Sequence, residues 1–202
     1  MKTVDGRLIV VSGASRSGKT AWVKKRVARS RRIWAWDPEA QWCELPGWIK
    51  VTDKAKLIEM SRKPGPQKVA FVPGGELKKE FDFWAGVTFY TGRCFGAVDV
   101  IGEELADVTT PSKAPGNWGI LLRRGLKRGI NIYAISQRWA EADKTAIGNA
   151  SEYVCFSMGG DDIDYMAKKT RIPVQELEAL KELEFIIIDR LNKNISRGKL
   201  RF

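Results

Sequence analysis

The sequence contains no histidine. That excludes imidazole general bases, histidine triads and histidine-ligated metals together. Cysteine is scarce: Cys43, Cys94 and Cys155 are widely spaced and form no C-x-x-C pair. No zinc site or disulfide framework is expected, and the three read as buried thiols in a reducing, intracellular compartment. No apolar run approaches the roughly 18 residues that cross a bilayer. The opening residues, Met1 to Arg7, carry no apolar stretch of the kind that begins a secretory signal. Repeats, low-complexity tracts and linkers are also missing. What remains is 202 residues, 44% hydrophobic and 29% charged. That composition supports a packed core and argues against disorder, with residues 1–202 as a single domain.

Acidic residues are in deficit, and unevenly so. The net charge is +11. Residues 1–36 hold ten basic side chains against one acidic; 121–138 hold five and 191–202 four, with no acidic residue in either. Clustered positive charge is the footprint of a polyanionic partner, nucleic acid foremost. No basic amphipathic helix with a clean apolar face points to a membrane surface instead.

Apolar patterning predicts strands at 7–12, 33–36, 47–51, 69–72, 95–101, 130–135, 152–157, 184–188 and 195–202. Helices are expected at 19–29, 53–62, 76–90, 118–127, 139–148, 161–170 and 174–181, and a loop at 107–117. Alternating strands and helices imply βαβ units and a mostly parallel sheet, an α/β fold. The helices and strands of about 160–202 form a short β-containing tail on that sheet.

The most specific feature is Gly13-Ala14-Ser15-Arg16-Ser17-Gly18-Lys19-Thr20, which matches G-x-x-x-x-G-K-[ST]. It follows an aliphatic strand and opens a helix. Glycines let backbone N–H groups turn inward around phosphates, and the helix N-terminus adds positive potential. In this pattern Lys19 reaches the β- and γ-phosphates of ATP and Thr20 binds Mg²⁺. Hydrolysis needs a second, acidic site at a neighbouring strand end. Ala97-Val98-Asp99-Val100-Ile101-Gly102-Glu103-Glu104 supplies the candidates. Glu103 is assigned to the magnesium shell and Glu104 to the attacking water. Asp99 is disfavoured for the metal as a strand-middle residue too deep below the phosphates. Gln137 ends another apolar strand and can hydrogen-bond the γ-phosphate or the water. Arg124 and Arg128, in Leu122-Arg123-Arg124-Gly125-Leu126-Lys127-Arg128-Gly129, are candidates to act on a neighbouring subunit's phosphates.

Phosphate loop, acidic strand end, arginine-rich turn and Ser136-Gln137-Arg138 strand end, in this order, resemble the FtsK–HerA superfamily of DNA-pumping ATPases. The short chain looks most like the genome-packaging ATPases of tailless, membrane-containing double-stranded DNA viruses, the tectivirus type. The resemblance covers about residues 7–160. It departs at Glu103, where the family usually has Asp, and at Trp139, where Pro usually follows Gln-Arg. It implies a three-layer P-loop NTPase with a RecA-like (ASCE) core, and the Gln137 strand lying between the loop strand and the acidic strand. It also implies a homo-oligomeric, hexameric ring with ATP at subunit interfaces, an arginine supplied in trans and duplex DNA in the pore. Partners at a viral vertex or membrane follow, with the protein in the infected cell's cytoplasm or at the packaging vertex. Lys113 and Lys78-Lys79 are candidate pore contacts.

Two other readings stay open at this point. One is a small-molecule kinase or GTPase. Asn192-Lys193-Asn194-Ile195, however, lacks the Asp of a guanine-reading motif. The other is a nucleotide-gated DNA-binding or assembly protein with little hydrolysis. The eight tryptophans fit core or subunit-interface packing better than stacking platforms for single strands.

Overall fold

The computed structural model describes residues 5–112, 114 and 116–202. Lys113 falls outside them. The chain order is β1 (Leu8–Ser12), α1 (Lys19–Arg26), β2 (Arg32–Trp36), β3 (Ile49–Val51), α2 (Lys54–Arg62), β4 (Gln67–Phe71) and α3 (Leu77–Phe95). Next come β5 (Asp99–Gly102), α4 (Leu105–Val108), α5 (Gly116–Arg124), β6 (Asn131–Ser136), α6 (Lys144–Asn149) and β7 (Glu152–Phe156). The chain then continues through α7 (Gly160–Thr170), α8 (Val174–Glu178), β8 (Glu184–Asp189) and β9 (Asn194–Lys199).

These strands form one sheet in the order β3-β4-β2-β5-β6-β1-β7-β8-β9. From β3 to β7 every pairing is parallel; β8 and β9 add on antiparallel. β6 does lie between β1 and β5. Parallel strands need both faces covered, and the central strands are accordingly buried, save Asn131 at the start of β6. Residue alternation divides them between two cores. Leu8, Val10, Trp34 and Trp36 face the layer built from α2, α3, α5, α6 and α7. Ile9, Val11, Ile33 and Ala35 face α1 and the segment around Trp42.

Several sequence boundaries shift. α3 runs on to Phe95 and stops at Gly96, whose φ of 62° with ψ of −175° is a backbone conformation essentially confined to glycine. β5 therefore begins at Asp99 rather than 95, and Asp99 sits at the strand's start. There Asp99 accepts from Asn131 Nδ2 at 2.8 Å and from Ser30 Oγ. Helix is not formed at 139–143. Trp139 is fully buried and its Nε1 donates to Val11 O at 3.1 Å. Asp143 caps α6 instead, accepting from Ala146 N at 2.8 Å. The expected loop at 107–117 contains the end of α4 and the start of α5. Cys155 is buried, and burial pushes its thiol up to about 12. Cys94 is exposed and Cys43 half-buried, contrary to the expectation of three buried thiols. Trp34, Trp36, Trp42, Trp84, Trp118 and Trp139 are fully buried, as core packing requires. No helix among the described residues is long and apolar enough to cross a membrane.

Candidate nucleotide site

All seven parallel strands point their carboxyl ends the same way, and the site lies at that edge, where ligands of open α/β sheets bind. β1 stops at Ser12 between β6 and β7, and the phosphate loop begins at once. Ala14 N donates to Ser157 O at 2.8 Å, which ties the loop to the end of β7. Gly18 closes the loop with φ 111° and abuts the tail: a Cβ there would lie 2.8 Å from Leu200 Cδ1. Any side chain would be both strained and crowded. Lys19 is 6% exposed and folds back, its Nζ donating to Gly13 O at 2.9 Å and Ala14 O at 2.8 Å. Burial lowers its pKa, with Glu104 and Glu103 opposing that shift. Ser17 Oγ, buried inside the loop, has no partner. A loop with a buried cation and an unsatisfied hydroxyl is built for an anion.

Glu103 and Glu104 follow β5 and meet different partners. Glu103 is 7% exposed. Its Oε1 accepts from Thr20 Oγ1 at 3.2 Å and from Trp42 Nε1 at 3.0 Å. Burial pushes its carboxyl up to about 7, against the hydrogen bond from Trp42 and with the adjacent Glu104 adding to the rise. The indole is aimed by Asp37, whose carboxylate accepts from the backbone N–H of Gln41, Trp42 and Cys43 at 2.8 to 3.0 Å. Glu104 has φ 45°, the left-handed region that a non-glycine residue adopts only under constraint. Its Oε1 accepts from Gln137 Nε2 at 2.9 Å. Ser15, Glu104 and Gln137 line one cavity.

The donor set suits a magnesium ion. Mg²⁺ takes one or two protein oxygens and leaves its other positions to phosphates and water. Thr20 Oγ1 and Glu103 Oε1, already in contact, are such a pair. Among the described residues no cluster of three or more carboxylate or thiol ligands competes with it.

The structure thus brings Lys19, Thr20, Glu103, Glu104 and Gln137 together around the Gly13–Thr20 loop. Arg124 and Arg128 are not brought there. They precede β6 and so lie at the opposite edge of the sheet, separated by a strand length of about 20 Å. Arg124 is exposed. Arg128 is engaged locally, donating to Arg124 O at 3.1 Å and lying over Phe89 at 5.1 Å. Neither can serve this chain's own loop. Three contributors escape sequence reasoning. Trp42 carries no local signal linking it to Glu103, 61 positions away. Leu183 and Phe202 join the loop in lining a cavity of about 400 Å³, through a tail whose antiparallel strands bring them back to it.

A loop of this sequence after the central strand of a parallel sheet, with an acidic strand end one strand beyond the intervening β6, defines the fold of a P-loop ATPase. No protein-family model matches the chain. It is a homologue of protein P9 of Pseudoalteromonas phage PM2, 28% identical over 176 residues that cover 86% of this chain and 79% of P9. Its structure is similar to the genome-packaging NTPase B204 of Sulfolobus turreted icosahedral virus 2 in complex with AMPPCP. The TM-score there is 0.78 at 15% identity, over 96% of this chain and 97% of B204. The bacterial conjugative coupling protein TrwB gives a TM-score of 0.70 at 10% identity, over 98% of this chain and 85% of TrwB.

Proposed function

We propose that this chain is an ATP-driven translocase that packages double-stranded DNA into a preformed viral capsid. One observation carries the reading. The phosphate-loop residues Lys19 and Thr20, the buried Glu103 and the Glu104–Gln137 pair converge at one sheet edge. Likeness to a genome-packaging NTPase and homology to a phage protein support the substrate, and so do three basic segments on a chain of net charge +11.

Lys19 and the loop amides hold the β- and γ-phosphates of ATP. Thr20 and Glu103 hold Mg²⁺, which supplies charge neutralisation at the phosphates when bound. Water attacks the γ-phosphorus, the bond to the β–γ bridging oxygen breaks, and ADP leaves. Glu104 takes the water's proton and Gln137 holds its carboxylate in place. Arg124 or Arg128 reaches a neighbouring subunit's phosphates in a homo-oligomeric ring, the hexamer of the family it resembles. Each arginine lies at the wrong edge for its own site, which supports a role in trans. The DNA contacts are phosphate contacts, without sequence preference. The ring acts at a packaging vertex, with vertex or membrane proteins as partners.

The test is ATP hydrolysis with and without duplex DNA, with Lys19→Ala as the blank. Stimulation by DNA is expected, falling steeply with salt. Robust turnover indifferent to DNA, with a small acceptor becoming phosphorylated, overturns the motor reading. Rings that mix Arg124→Ala with Glu104→Gln subunits recover part of the activity if Arg124 acts in trans; the same mixing with Arg128→Ala tests the other arginine.

A further inference from the structure

Leu183 and Phe202 serve neither the phosphates nor the acidic pair, yet both line the cavity that the phosphate loop opens into. We infer that Phe202, with Leu183 beside it, forms the stacking wall for the nucleotide base, so that the site grips a base by its face. This rests on the phosphate-loop reading and extends it to the other end of the ligand.

The direction of the ligand follows from the site. The γ-phosphate end is fixed by Glu103, Glu104 and Gln137, which lie on the β5–β6 side of β1. The chain of phosphates must then leave on the β7 side, past Gly18 and Ala21. One cavity spans both ends: Glu104 and Gln137 line it at the γ-phosphate end, and Arg16, Ala21, Leu183 and Phe202 also line it. Its apolar side comes from the tail.

The wall is held, not merely near. Leu183 has φ 65°, a strained conformation for leucine, and its carbonyl accepts from Leu200 N at 2.9 Å. Leu200 is 7% exposed and packs on Gly18. Lys25 Nζ, on α1, donates to Arg201 O and lies over the Phe202 ring at 5.2 Å. Phe202 is nevertheless 87% exposed. An aromatic ring clamped by a cation on one side and left bare on the other is a stacking platform. Such a wall reads the π-face that every base has.

The experiment measures equilibrium binding of ATP and of inorganic tripolyphosphate to the full chain. Phe202→Ala is expected to weaken ATP roughly tenfold while leaving tripolyphosphate unchanged. Phe202→Tyr restores ATP binding. ATP and GTP bind the unaltered protein within a few-fold of one another. An unchanged ATP affinity in Phe202→Ala overturns the inference, as does equal weakening of both ligands, which marks a structural effect on the loop. Failure of the underlying phosphate-loop reading looks different: Lys19→Ala then leaves tripolyphosphate binding intact. Because Phe202 is exposed, its variants should melt with the unaltered protein, and a shared melting temperature certifies the folded state.

Discussion

The two faces of the sheet are built by different means. On one, α2, α3, α5, α6 and α7 bury a continuous aromatic cluster. Trp36, Phe81 and Trp84 meet with ring centroids 5.2 to 6.0 Å apart, and Phe81 reaches Trp118 at 5.2 Å. On the other, α1, the Trp42 segment and the tail form a thinner cover. That cover is tied to the sheet edge by polar groups: Asp37 aims Trp42, and Trp42 and Thr20 hold Glu103. Apolar packing is non-directional and tolerates no voids, so the thick face supplies stability. Hydrogen bonds are directional and individually modest, so the thin face supplies geometry. Stability and catalysis should therefore be separable by choosing the face.

The largest expected effect is on the thin face. Lys19→Ala or Glu104→Gln should cut hydrolysis by about two to four orders of magnitude. Both should leave the melting temperature nearly unchanged, and Glu104→Gln should retain ATP binding. The contrast breaks if either variant unfolds the protein. Next, Trp84→Ala on the thick face should cost roughly 3–5 kcal/mol of unfolding free energy by denaturant titration, with ATP affinity intact in the folded fraction. Lost affinity there would show that the aromatic layer sets the site. Trp42→Phe sharpens the division. It keeps an aromatic ring beside Trp48 while removing the Nε1 donor to Glu103 and part of the buried indole volume. About 1–3 kcal/mol of stability should go, with turnover falling several-fold more than the melt implies.

The smallest effect belongs to neither face. Asp189, on β8, accepts from Arg7 Nη2 at 2.6 Å, and that guanidinium holds its carboxyl below the usual range. A depressed pKa gives stability that is present above the unfolded-state value near pH 4 and lost as pH falls. Asp189→Asn should therefore cost no more than about 1 kcal/mol at neutral pH, shrinking toward zero in acid.

The parts legible in sequence are those whose physics is local. The Gly13–Thr20 loop is contiguous, and its glycines, lysine and threonine must sit at fixed spacing. Glu103, Glu104 and Gln137 are marked by apolar runs that end beside them. The sheet order follows from the resemblance rather than from patterning. Boundaries failed where one residue's tertiary contact overrode periodicity. Gly96 ends α3 late, and Trp139 is drawn under β1 by Val11 O instead of starting a helix. The contacts of Trp42 with Glu103 and of Phe202 with Lys25 are not legible in sequence, because nothing within a helical turn of either residue announces a partner 61 or 177 positions away.

The strand that carries the phosphate loop has a consequence for how the molecule assembles. β1 is translated almost first, yet its parallel partners begin at Asn131 and Glu152. At typical synthesis rates that is a wait of roughly six to thirty seconds. Until then the basic N-terminal stretch has no sheet to join, and closing so long a loop is slow. Nucleotide competence is thus acquired late and all at once. A nascent chain that is cut short before β6 has the loop's sequence but no site.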